Sequence, residues 1–378
     1  MNTGQLVARV LDPGWLSEQA GRPVRAARLR IKPRTSLVIG LDDTAGHPAG
    51  WLRILWPISH NKAARTRREA GELGLETTEH ELGELLAQTG PLPADPKLLK
   101  RIAAATASGK LGRWEASQVL RYNPLRRVVV RDGMRVVRVA TSRDRGVAFD
   151  RFIAGVVETP LRLDDGTLDG VSVHAFTGDL DLADLLDGNP PGVDCEPVHG
   201  TCDPVCAAGA MLARLHAAEV PGDLARSLAA RTSDPVAQGL AHAALLDELA
   251  PDLAERMRRV AAELPGVASA MPVLSHGDLS PDQVLTTHDG DAVWLTDFDR
   301  ACLAPRAVDL GSFLSVLDAG TLLDGYRDGG GQVPPEDQLR RAVAASLILR
   351  AADPLRRACR DWKQQVSANL DRIREVAT

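Results

Sequence analysis

Long hydrophobic runs are missing from this sequence. No stretch approaches the roughly 20 apolar residues that cross a bilayer, and no early segment joins a basic start to an apolar run, so a cytoplasmic protein without membrane contact is expected. Aromatic residues make up only 3% of the 378 positions, too few for a platform that stacks single-stranded nucleic acid. Positive charge is not in excess either. The formal net charge is −5 and the isoelectric point about 6.0, against the clustered Lys and Arg surplus that duplex binding requires, so no nucleic-acid partner is expected. Lysine is scarce, confined to Lys32, Lys62, Lys97, Lys100, Lys110 and Lys363, and nearly all positive charge is arginine. The five cysteines are an odd set with no regular framework, which excludes a disulfide scaffold and points to reduced thiols. Cys195, His199, Cys202 and Cys206 are zinc-ligand residue types, but they lack the paired C-x-x-C spacing of a metal site and read as a loop leading into a helix.

What is present is ordinary globular composition, 44% hydrophobic and 25% charged, with room for two or three cores. An internal similarity stands out in the first half. Leu29-Arg30-Ile31-Lys32-Pro33, followed by Leu37-Val38-Ile39, matches Leu120-Arg121-Tyr122-Asn123-Pro124, followed by Val128-Val129-Val130, in one register. Each copy reads as a hairpin with a third strand after it, Trp51–Leu55 or Val136–Val139, then a charged helix ending near Glu76-Thr77 or Glu158-Thr159. The unit is β-β-β-α-β, twice. Residues 79–116 read as helices broken by the Pro91–Pro96 stretch, and this region is the expected domain boundary. Val171–Phe176 reads as a strand. Beyond it, helical periodicity runs over Ala207–Ala218, Pro235–Leu264 and Gln338–Ala351, with Asp328–Gly331 as a loop. The organisation expected is a cap-like α+β unit over residues 1–116, a small β-rich lobe over 117–185 and a helical lobe over 186–378.

The segment that carries chemistry is Val273-Leu274-Ser275-His276-Gly277-Asp278-Leu279-Ser280-Pro281-Asp282-Gln283-Val284-Leu285, followed by Val293-Trp294-Leu295-Thr296-Asp297-Phe298-Asp299. Two apolar strands flank a polar loop. Phosphoryl transfer asks little covalent chemistry of a protein; it needs metal ions on the phosphate oxygens and a residue that orients the attacking hydroxyl. An Asp, an amide five residues on and an acid after the next strand supply those parts, and Gln283 and Asp297 offer the hard oxygens that Mg²⁺ prefers.

These motifs, with the later Asp309-Leu310 and the stretch Gly209-Ala210-Met211-Leu212-Ala213-Arg214-Leu215-His216, resemble the aminoglycoside phosphotransferase family. That family shares its architecture with choline kinases and protein kinases. The resemblance covers the chain from about residue 118 onward and implies a bilobal α+β kinase-like fold that uses ATP or GTP with Mg²⁺. It makes Asp278 the catalytic aspartate and Gln283 and Asp297 metal ligands. His276 becomes a structural member of the catalytic loop, Asp309 the residue bracing that loop, and Asp299 a residue that assists at the metal or holds Arg300. The 209–216 helix is implied to be a packing element. Gln283 stands where the family usually has Asn, though the related maltokinases carry Gln and also an N-terminal cap.

Two further features depart from the general kinase pattern, the second of them one that the resembled family often shares. Arg138 stands where a strand lysine normally meets the nucleotide phosphates, and an arginine fork is not a lysine point charge. Its partner acid is left between Asp150 and Glu158. No glycine-rich loop lies between the strands near Arg126 and Arg127, residues that reach phosphate or end a solvated hairpin. Adenine is expected against the backbone of His174, Ala175 and Phe176. In the first copy Arg53 takes the equivalent position with Glu69 as its acid, without a helical lobe directly after it. Asp179, Asp181, Asp184 and Asp187 read as the solvated start of a helix before they read as a lure for a cationic antibiotic. The function expected is a kinase for a hydroxyl of a sugar, amino sugar or aminoglycoside. The alternatives are a degenerate kinase that binds nucleotide without turnover and a peptide Ser/Thr kinase of a natural-product pathway; oligomeric state is open.

Overall fold

The structure is a computed structural model and describes residues 2–114, 119–187, 203–229, 234–264, 266, 271–317 and 319–377. The chain opens with two short helices, α1 (Thr3–Val10) and α2 (Pro13–Ala20). Asn2 and Gln5 cap α1 reciprocally, and Asp12 caps α2 ahead of Pro13, a residue suited to a first turn because it has no amide to leave unpaired. Three antiparallel strands follow, β1 (Arg25–Lys32), β2 (Ser36–Asp42) and β3 (Pro48–Leu55), then α3 (Asn61–Gly71) and the hairpin β4 (Thr78–Leu82) and β5 (Leu85–Gly90). The sheet order is β1-β2-β3-β5-β4. Residues 79–90 were expected to be helical and form this hairpin instead. Their glutamates suit an exposed helix, but Leu85 and Ala87 alternate onto the buried face beside β3, and that pairing overrides local propensity.

After α4 (Leu99–Ala107) the pattern repeats as β6 (Val119–Asn123), β7 (Arg127–Asp132), β8 (Arg135–Ala140), α5 (Val147–Ala154) and β9 (Val171–Ala175), in the order β6-β7-β8-β9. A bridge from Arg162 to His174 stands where β4 stands in the first copy. The repeat extends to the backbone: Arg34 (φ 52°) and Leu125 (φ 61°), each just after the hairpin proline, both take the left-handed conformation. The two sheets share a core in which Trp51, Leu98 and Ile102 meet Val128, Val130, Val137 and Val139. At this junction the buried Asp95 accepts from the Tyr122 hydroxyl (2.7 Å) and the Leu125 amide (2.8 Å).

The remaining elements are β10 (Leu180–Asp181), α6 (Leu182–Asp187), α7 (Pro204–Ala217), α8 (Gly222–Ala229), α9 (Pro235–Leu246), α10 (Pro251–Glu263), β11 (Val273–Ser275), β12 (Val284–Thr286), β13 (Val293–Leu295), β14 (Cys302–Ala304), α11 (Ala307–Leu314), α12 (Gly320–Asp328), α13 (Glu336–Arg350), α14 (Asp353–Arg356) and α15 (Trp362–Ala377). The helix expected over Pro235–Leu264 is two helices, because Pro251 cannot continue the first. α7 and α12 touch backbone to backbone: a Cβ on Gly209 would lie 2.1 Å from the Leu322 carbonyl oxygen, so only glycine fits there.

The first sheet has two unlike faces. Along β1 the residues alternate as Arg28, Leu29, Arg30, Ile31, Lys32, and period-2 geometry sends them to opposite sides. Leu29, Leu37, Ile39, Leu52 and Ile54 join one core with Leu246, Met257, Val260, Ile348, Val366 and Leu370 of α9, α10, α13 and α15. At about 1.5–3 kcal/mol per fully buried aliphatic side chain, this contact ties the N-terminal unit to helices of the C-terminal part of the chain. The other face carries Arg30, Val38 and Arg53 in one cross-strand row.

Candidate active site

The loop between β11 and β12 is held by one buried carboxylate. Asp309, in the first turn of α11, accepts the amides of His276 (2.7 Å) and Gly277 (2.7 Å), and His216 of α7 donates to it through Nε2 (3.1 Å). The Tyr326 hydroxyl meets the other ring nitrogen of His216 at 2.9 Å. Burial opposes ionisation of Asp309, but the His216 hydrogen bond and charge, His276 and the Gly277 amide outweigh it and hold the pKa below the usual carboxylate range. Gly277 (φ 80°) has no room for a side chain, since its Cβ would lie 2.2 Å from the Arg300 carbonyl oxygen. His276 is fully buried, donates from Nε2 to the Thr296 carbonyl (2.8 Å) and packs on Phe298. Loop and β13 are thereby locked together.

Asp297 follows β13 in the left-handed conformation (φ 62°), a geometry uncommon for a non-glycine residue. Its carboxylate pairs with Arg127 at 2.8 Å, and that of Asp299 with Arg138. Burial raises both pKa values. For Asp297 the opposing charges of Arg127 and then Arg138 prevail and the net shift is downward; for Asp299 burial, reinforced by Asp297, prevails over Arg138 and the shift is upward. Gln283 is buried beside them; its backbone amide donates to the Ser280 carbonyl (2.8 Å), and among the described residues its side-chain amide makes no hydrogen bond. Asp278 is more open and is met by Arg350 (3.1 Å) and Arg300 (3.6 Å).

Two cavities meet at these carboxylates. A cleft of about 410 Å³ lies between the second sheet and the loop and is lined by Arg138, His174, Phe176, Gln283, Asp297 and Asp299. A larger cavity of about 1080 Å³ lies between the two sheets and is lined by Arg53, Arg126, Asp278, Asp297, Asp299 and Arg300. Arg127 and Arg138 line both. Asp278 thus faces the larger cavity, and Gln283 the cleft.

The expected site residues converge, with changes of partner. Arg138 holds Asp299, whereas Asp150 pairs with Arg162 (2.6 Å) and Glu158 with Arg214 (3.2 Å), so neither acid serves Arg138. Asp299 does not hold Arg300, which reaches Asp278 instead. Arg126 lines the larger cavity and not the cleft. The amides of Ala175 and Phe176 already donate to Leu161 (2.8 Å) and Met134 (2.9 Å), the His174 pKa is lowered chiefly by burial, and the Phe176 ring lies under Arg131. Thr177 and Gly178 extend the same edge of the cleft. Asp181 caps the start of α6 through the Asp184 amide, and Asp179 accepts from the His288 amide. The Asp187 side chain, Cys195, His199 and Cys202 lie outside the described residues, while Cys206 lies in the first turns of α7. Sequence reasoning missed Arg350, which a helical pattern does not distinguish from any surface arginine. It also read the 209–216 helix as packing alone, although His216 ends that helix on its buried face, a signal for a structural partner.

Asp297, Asp299 and the unpartnered Gln283 side-chain amide suit Mg²⁺, which takes few protein oxygens and completes its shell with water and phosphate. Among the described residues no cluster of three His, Cys, Asp or Glu side chains could hold an ion unaided.

A model of the phosphotransferase enzyme family matches residues 106–345. A choline/ethanolamine kinase family protein from Mesorhizobium loti is 16% identical, with 74% of this chain and 94% of that chain covered and a TM-score of 0.50. An ethanolamine kinase from Plasmodium vivax is 14% identical over 72% and 86% of the two chains (TM-score 0.46). A macrolide 2'-phosphotransferase from Brachybacterium faecium is 21% identical over 75% and 98% (TM-score 0.42). No curated protein matches the chain. The first of these likenesses carries the bilobal kinase-like fold.

Proposed function

This chain belongs to the phosphotransferase enzyme family, and from that premise we propose that it transfers the γ-phosphoryl group of ATP or GTP, with Mg²⁺, to a hydroxyl of a small molecule. In this reading residues 117–185 and 186–378 are the two kinase lobes, and residues 1–116 add a wall to the acceptor side. One observation carries it: a single loop and the strand after it bring Asp278 to the larger cavity, Gln283 to the cleft and Asp297 to the junction where both cavities meet.

The nucleotide would occupy the cleft, with its base at the 174–178 edge and its phosphates toward Arg127 and Arg138. Gln283 and Asp297 would hold Mg²⁺, with Asp299 in support; when bound, the ion neutralises charge on the phosphates. Asp278 would take the hydroxyl proton as the oxygen attacks, and Asp309 would keep the loop from moving. The arginines supply the phosphate contacts that a lysine usually provides, as two forks in place of one point charge.

The test is thermal unfolding with Mg-ATP and Mg-GTP, for the wild type and Asp297→Asn. A ligand at about 100 times its Kd adds about 2.7 kcal/mol to the folded state. The expected result is a metal-dependent rise in Tm that the variant loses; no rise with either nucleotide would overturn the reading. A second reading, nucleotide binding without turnover, is favoured by the ion pairs that already engage Asp297 and Asp299. It predicts the same Tm rise and no phosphorylated product with any acceptor.

A further inference from the structure

We propose that the larger cavity binds an acceptor that already carries a phosphate group, so that this kinase adds a phosphoryl group to a hydroxyl of a phosphorylated small molecule. The inference rests on the kinase reading and specifies its acceptor.

The cavity is lined by twelve arginines and lysines against four carboxylates, in a chain whose net charge is −5. Four of the six lysines in the whole sequence, Lys32, Lys62, Lys97 and Lys100, converge on it. This concentration is built by the fold. Strand alternation gives Arg30, Lys32 and Arg53 to the face opposite the hydrophobic core, α3 adds Lys62, and the turn before α4 adds Lys97. Val38 and Ser36 keep the middle strand short-chained, so there is depth beneath the cations.

Six of the basic residues, Arg30, Lys32, Arg53, Lys62, Lys97 and Arg126, have no carboxylate within 4 Å among the described residues. Arg53 illustrates the cost. It is buried and hydrogen-bonded to neutral partners, Gln88 (2.9 Å) and Thr66 (2.8 Å), and burial lowers its pKa to about 10. Arg126 is lowered by burial and then by Arg30, Arg356, Arg300 and Arg127, all of like charge. A protein gains nothing in stability from cations gathered without counter-charge, which makes an anionic ligand the reason for the arrangement.

The nucleotide does not account for it. Of the twelve, only Arg127 and Arg138 also line the cleft, and Arg30, Lys32, Arg53 and Lys62 lie on the far wall, in the N-terminal unit. A cationic antibiotic would meet repulsion there. Phosphate is favoured over carboxylate because a dianion offsets more of the surplus per group, and both Arg forks and Lys ammonium groups hold it well. The volume of about 1080 Å³ exceeds what a lone phosphate fills and suits a polyhydroxyl body with a phosphate arm. With the phosphate on the far wall, a hydroxyl at the other end reaches Asp278. The hydroxyl oxygen then forms a bond to the γ-phosphorus as the bond from that phosphorus to the β-phosphate oxygen breaks; the proton passes to Asp278 and the nucleoside diphosphate leaves.

The experiment is calorimetric titration of the full chain, with and without Mg-ADP, using glucose 6-phosphate, glucuronate and glucose as probes, on the wild type and on the double variant Lys62→Gln with Lys97→Gln. Both lysines are exposed, so folding should be kept. Glucose 6-phosphate should bind at least about tenfold more tightly than glucose or glucuronate, and the double variant should weaken it by about tenfold or more while Mg-ADP affinity stays within about twofold. Equal affinity for the three probes, or a variant indifferent to glucose 6-phosphate, would overturn the proposal while intact Mg-ADP binding left the kinase reading standing. Phosphate binding that needs Lys62 and Lys97 in a protein that binds no Mg-ADP would support the anion site and overturn the kinase reading.

Discussion

The two β-β-β-α units are the same device in different surroundings. Both turn at a proline followed by a left-handed residue, and both place an arginine on the third strand, Arg53 or Arg138, facing away from the apolar side of the sheet. In the second unit that arginine meets Asp299 from the loop after β13. In the first it meets Gln88, Thr66 and the Lys62 carbonyl, all neutral, among other cations. The difference shows that a repeated topology supplies positions, and that chemistry comes from what is packed opposite. Opposite the second sheet stand the carboxylates of the proposed active site; opposite the first stands a basic cavity.

Asp278→Asn tests that division most severely. Asp278 lines the larger cavity and not the cleft, so removing its charge should lower kcat by about 10²–10⁴-fold, the range for a positioned proton acceptor, with Mg-ADP affinity unchanged. A loss of nucleotide affinity on the same scale would join the two cavities into one site.

A matched pair of substitutions separates the two arginines. Arg138→Met removes a fork that faces the cleft, and should weaken Mg-ADP by about tenfold or more, since a charged hydrogen bond is worth about 1.5–3 kcal/mol. Arg53→Met takes the donor away from the buried Gln88 Oε1 and the Thr66 hydroxyl and should lower stability by about 1–3 kcal/mol, read by urea denaturation, with nucleotide binding unaltered. Equal effects of both variants on Mg-ADP would mean that the units share one function.

Much of this comparison was readable beforehand. The repeat, the Asp278, Gln283, Asp297 and Asp309 motifs and most helices are local patterns in which spacing and residue type carry the signal. The hairpin over residues 79–90 was hidden because Glu79, Glu81 and Glu84 suit a helix until β3 is beside them. The exchange of partners, with Arg138 on Asp299 and Arg300 on Asp278, depends on which lobe surfaces face each other, and periodicity does not encode that. The scarcity of lysine was plain from composition. Its meaning was not, because the meeting of Lys32, Lys62, Lys97 and Lys100 requires β1, α3 and α4 to surround one cavity.

The smallest expected effect concerns the turns themselves. A side chain in the left-handed region costs about 1–2 kcal/mol, and glycine removes that cost while adding about 0.5–1 kcal/mol of chain entropy to lose on folding. Arg34→Gly therefore trades strain relief against that entropy and an exposed ion pair with Glu248 (2.9 Å), worth at most about 1 kcal/mol. The net change should stay within about 1 kcal/mol of zero by urea denaturation. Leu125→Gly makes the same trade and also loses apolar contact in a half-buried turn whose amide is fixed by Asp95, so it should be the more destabilising of the two. If both variants shift stability equally, the turn is a property of the repeat alone. If only Leu125→Gly costs stability, the neighbour packed against each copy has specialised even the element that the two share most closely.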